Sequence, residues 1–69
     1  MTDDELYRRF SYHAPKGDQP ERYERIRDHG RQLAELIDLE APESREKSLA
    51  LTKIEEAIMW ANAAIARRE

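Results

Sequence analysis

Sixty-nine residues, 39% of them charged, with a net charge of −3 and no cysteine, make one small domain and exclude disulfide or thiolate-metal staples. The acidic balance, with a pI near 5.4, argues against long nucleic acid, whose binding needs a basic footprint. No apolar run approaches the ~20 residues of a membrane span, and the opening MTDDELYRRF lacks the basic and apolar regions of a signal peptide.

Thr2-Asp3-Asp4-Glu5 has the form of a capping box and predicts a short helix over roughly Asp3–Phe10. Pro15 and Gly17 mark Ser11–Gly17 as a loop. Asp18-Gln19-Pro20-Glu21 is a second box, with Pro20 in the first turn, where its missing N–H costs nothing. A long helix is expected from Gln19 to about Leu39. Tyr23, Ile26, Gly30, Leu33 and Ile37 form one stripe along it, and Gly30, costly in a helix by about 1 kcal/mol, implies close approach of a neighbouring backbone.

Pro42 breaks the pattern, and a last helix is expected from about Ser44 to Arg67. Its stripe Leu51, Ile54, Ile58, Ala61 and Ile65 matches the one on the preceding helix. A second stripe, Ala50, Lys53, Ala57, Trp60, Ala64 and Arg67, is surplus to a two-helix hairpin. Trp60 among alanines suits a subunit interface, with Ala57 and Ala64 allowing close approach; the alternative is that Trp60 packs on the short first helix of its own chain. The expectation is an all-α domain over residues 1–69, a short N-terminal helix followed by a long antiparallel hairpin. A chain this short has a marginal core of its own, so assembly as a homo-oligomer is the expected staple.

Candidate chemistry concentrates in Phe10–Gly17, which carries Phe10, Tyr12, His13 and Lys16. An aromatic face with cations nearby is what a nucleobase and its phosphate require; from composition alone, the plainer expectation is that Phe10 and Tyr12 staple the loop to the hairpin. Arg22, Arg25, Arg27 and Arg31 follow among Glu21, Glu24, Asp28 and Glu35, with which a solvated helix would pair them. Arg27, beside the aromatic loop, would suit a phosphate, because a guanidinium donates two parallel bonds. The two histidines, His13 and His29, are too few and too separated for a metal cage, and no cofactor is implied. Neither a nucleophile–base–acid set nor a glycine-rich phosphate loop is present, so binding is expected rather than catalysis.

FSYHAPKGDQPERYERIR, PESREKSLALTKIEEA and MWANAAIAR, in this order over about Phe10 to Arg67, resemble the phage anti-CBASS protein two family. The resemblance implies a homohexamer of helical hairpins in the cytoplasm of an infected bacterium. It implies a sponge that sequesters cyclic dinucleotides, such as cyclic GMP–AMP, and cyclic trinucleotides, such as cyclic tri-adenylate, without cleaving them, at separate sites between subunits. For the dinucleotide it assigns Tyr12 to base stacking and Arg27 to phosphate, with His13 and Lys16 at the edge. For the trinucleotide it assigns Arg67, with Arg68 close enough to leave that choice open. A module docking on a partner protein through the Ala/Trp face is the alternative.

Overall fold

A computed structural model describes residues 1–69. Three helices follow in order, α1 Asp3–Phe10, α2 Gln19–Glu40 and α3 Arg45–Arg68, with no strands. α2 and α3 form the hairpin and α1 lies at its open end. The boundaries fall within two residues of those expected.

The caps differ in detail from the boxes read in the sequence. Thr2 Oγ1 accepts from the Glu5 N–H at 3.2 Å, but the Glu5 carboxylate does not reach back. It accepts instead from Arg9 at 3.0 Å and from both Nη atoms of Arg68 at 2.7 and 2.9 Å. Asp18 precedes α2 with φ −88° and ψ 6° and makes no side-chain cap bond; its carboxylate lies 3.6 Å from Arg22. The turn into α2 is closed by Gln19 instead, whose Oε1 accepts from the Lys16 N–H at 3.1 Å while its N–H donates to the Lys16 carbonyl at 3.0 Å. Gly17 sits at φ +56°, the left-handed region that a side chain would strain. Ser44 caps α3 as the pattern suggests, accepting from the Lys47 N–H at 3.1 Å.

The hairpin is one layer of helices. Its extents are 45 × 29 × 12 Å, and the smallest is about one helix diameter. A single layer seals only the seam between its helices. Ile65 is the only buried apolar side chain, and Tyr23, Ile26, Ile37, Leu51, Ile54 and Ile58 are half-buried along the seam. Leu33, assigned to the stripe, is 48% exposed rather than covered by the seam. At Gly30 the close neighbour is a side chain rather than the expected backbone: an added Cβ would fall 2.8 Å from Ile58 Cγ1 and nearer still to its Cδ1.

Polar clamps close both ends of the seam. At the turn, Lys47 is buried, and its ammonium donates to the Asp38 carbonyl at 2.9 Å and to Glu43 at 2.6 Å, with Asp38 Oδ1 at 3.1 Å. Hydrogen bonds to Glu43 and Asp38 raise its pKa further. At the open end Gln19, 3% exposed, donates to the Ile65 carbonyl and to Glu69, and Arg22 grips Glu69 through both Nη atoms at 2.8 and 2.7 Å. Bonds from Arg22 and Gln19 lower the Glu69 pKa.

Candidate nucleotide-binding site

The open end brings the loop, the start of α2 and the end of α3 together, because Gln19 and Arg22 tie the α2 N-terminus to Glu69. A depression of ≈ 410 Å³ is lined there by Tyr12 and His13 from the loop, Tyr23 and Arg27 from α2, and Asn62 and Arg67 from α3, among others. Tyr12 is 86% exposed, so its ring does not staple the loop to the hairpin but stands free for stacking. His13 is anchored at 2.7 Å to the Arg8 carbonyl. A carbonyl only accepts, so Nε2 carries the proton and Nδ1 is the nitrogen left over.

Availability of charge separates the arginines. Arg22 is committed to Glu69, Arg68 and Arg9 to Glu5, and Arg31 lies 3.8 Å from Glu35. Bonded to a carboxylate, Arg22 and Arg68 both have raised pKa values. Arg27 and Arg67 make no ion pair. They come from opposite arms of the hairpin to one depression, and each retains its full set of donors for an anion.

Lys16 does not join them. Its ammonium bonds to the Glu69 carbonyl at 3.0 Å, and it lines a neighbouring depression of ≈ 580 Å³ with Arg8, His13, Arg67 and Arg68. Arg67 and Arg68, paired in the sequence reading, differ in role, since the bidentate bond to Glu5 makes Arg68 a strut between α3 and α1. Arg67 lines the depression of Tyr12 and Arg27 as well as a third, ≈ 410 Å³, beside Phe10 and Trp60. Trp60 is 62% exposed and Phe10 84%, so α1 does not bury the tryptophan; Ala57 and Ala64 are exposed with it. No group of three or more His, Asp or Glu side chains is placed to hold a metal ion. No helix is long and apolar enough to cross a membrane.

Asn62 also lines this depression, and sequence reasoning did not single it out. Its Oδ1 is sealed from solvent with no hydrogen-bond partner, an arrangement that costs about 1–3 kcal/mol. A signal was available: one amide interrupts the alanines of Met59–Ala66, between stripe positions Ile58 and Ile65.

Residues 2–66 match the family model described as Acb2/Tad1, hairpin domain. No curated protein and no solved structure matches the chain. With nearly its whole length covered and a helical hairpin as its fold, the chain belongs to the Acb2/Tad1 hairpin family, that of the anti-CBASS protein two sponges.

Proposed function

We propose that this protein is a phage anti-defence sponge that captures cyclic dinucleotide and cyclic trinucleotide second messengers intact and so keeps CBASS effectors idle. Family membership supports the sponge role in general. The observation that carries the finer reading is the convergence of Tyr12, Arg27 and Arg67 on one depression. A freely exposed ring meets a base, and two guanidinium groups with no acidic partner meet phosphodiesters. The depression is open and shallow, as half of a site shared between subunits would be, and a homohexamer in the cytoplasm of the infected bacterium is the assembly and place we assign. Release of free messenger is prevented only when sites outnumber ligand and Kd lies well below its concentration.

Calorimetric titration with cyclic GMP–AMP and with cyclic tri-adenylate, followed by recovery of ligand from heat-denatured protein, tests the proposal. Micromolar or tighter binding with intact ligand returned is expected. Tyr12→Ala should weaken dinucleotide binding about 10- to 100-fold, the effect of losing one stacked base, and Arg27→Ala should weaken it without altering the oligomer. Linear product, or no binding at micromolar protein, would sink the proposal. The exposed Trp60, Ala57 and Ala64 face favours a second reading, a module that docks on a partner protein. In that case Trp60→Ala abolishes activity and the loop variants do not.

A further inference from the structure

Asn62 lines the depression of Tyr12, Arg27 and Arg67, yet no side-chain hydrogen bond involves it. Its Oδ1 is sealed, whereas Nδ2 is not among the sealed atoms. The hydroxyl of Tyr23, on the same depression, is turned to Gln19 at 3.4 Å rather than to the amide. Helix formation does not account for Asn62 either, because asparagine is a poorer helix former than the alanines around it. An apolar residue would fill the position without stranding a buried acceptor. Folding therefore gains nothing evident from this side chain, and its remaining distinction is the depression it faces.

Resting on the nucleotide-binding reading of that depression, we infer that Asn62 is a base-edge contact that pairs with either purine of a cyclic dinucleotide by turning its amide. A carboxamide carries one acceptor beside two donors, and a half-turn about its last torsion exchanges them. Adenine offers N6–H beside N7, and guanine offers N1–H beside O6, so each purine presents a donor next to an acceptor. Turning the amide also brings the stranded oxygen out toward a donor that only the ligand supplies. Tyr12 then provides the stacking surface, which every base satisfies, and Asn62 the contact that recognises an edge.

Two variants test this, with cyclic di-AMP and cyclic di-GMP titrated into the wild type and each variant by calorimetry. Asn62→Leu should lose about 10-fold or more in affinity for both ligands while melting no lower than the wild type. Asn62→Asp can only accept, which suits the adjacent N1–H and N2–H donors of guanine. Its added charge opposes both ligands alike, so the ratio of their affinities should move about 10-fold toward cyclic di-GMP. Unchanged affinities in Asn62→Leu, or an unmoved ratio in Asn62→Asp, overturn the inference and leave the sponge reading standing. A lowered melting temperature with altered mass by light scattering and unaltered affinity also overturns it, and assigns the amide to packing between subunits. If the wild type binds neither ligand, this inference falls, and the dinucleotide reading falls with it only where cyclic GMP–AMP is not bound either.

Discussion

A methyl group at position 30 would overlap Ile58, with Cγ1 only 2.8 Å from the new carbon. Gly30→Ala thus sets a helix-propensity gain of about 1 kcal/mol against overpacking that costs about 1–3 kcal/mol. The overlap wins because Ile58 lies in the seam and can move only by spreading the hairpin. The variant should be destabilised by about 1 kcal/mol and melt roughly 4–8 °C lower. Adding Ile58→Val removes Cδ1 and should recover part of the loss; a Gly30→Ala protein as stable as the wild type contradicts this packing. The sequence marked Gly30 as a close approach, since a glycine inside an apolar stripe has few other reasons to be there. It did not reveal whether backbone or side chain filled the gap, which depends on the register between helices. The same limit applied to the site. That Tyr12 and Arg27 lie on one depression was legible from their proximity in the chain. The diversion of Lys16 to Glu69 and the split between Arg67 and Arg68 arise from contacts 53 and 63 residues apart, and the stranded Asn62 oxygen shows only once the helices are packed.

Among the elements, α1 is the one held chiefly by charge. It buries no residue, and the bidentate bond from Arg68 to Glu5 ties it to the end of α3. Hydrogen bonds from Arg68 and then Arg9 push the Glu5 pKa from 4.5 down to about 2. A carboxylate depressed in the folded state contributes stability that is fully present above about pH 4.5 and is lost as pH falls toward 2. Glu69, depressed mainly by Arg22, loses its contribution in the same direction and loosens the other end of the clamp. Hydrogen exchange should show α1 amides losing protection through that acid window before those of α2 and α3. Glu5→Gln should produce the loosened α1 already at neutral pH. Equal protection of all three helices down to pH 2 would contradict a charge-held α1. The helices themselves were readable in advance because stripe, proline and glycine are local signals. The Glu5 partner was not, because a capping-box glutamate and a latch glutamate look identical in the chain. The bidentate bond across 63 residues displaces a single bond to the Thr2 N–H.

For the whole molecule, thickness is the governing fact. A slab 12 Å thick, with three of 69 residues buried, leaves Trp60, Phe10, Leu36, Leu39 and Met59 more than half exposed. Exposed apolar surface on this scale marks an association surface, and burial of apolar area is the dominant favourable contribution to folding. The second stripe of α3 showed in the sequence that more apolar surface existed than a hairpin needs. The number of subunits did not show, because periodicity counts faces and not the angles between copies. If assembly completes the fold, stability becomes a matter of mass action, and the melting temperature should rise with protein concentration. The chain has one tryptophan, so its emission reports directly on the Ala/Trp face. Assembled protein should emit at shorter wavelength than the 62% exposure of Trp60 in the single chain implies, and dilution should shift emission to the red as mass falls toward 8.2 kDa. Trp60→Ala should lower the mass measured by light scattering at a fixed concentration. It should also weaken nucleotide capture in proportion to the lost assembly if the open depression is half of a shared site. A wild-type protein that remains at 8.2 kDa at every concentration, with red emission throughout, would leave the exposed face to a different partner and the depression to act alone.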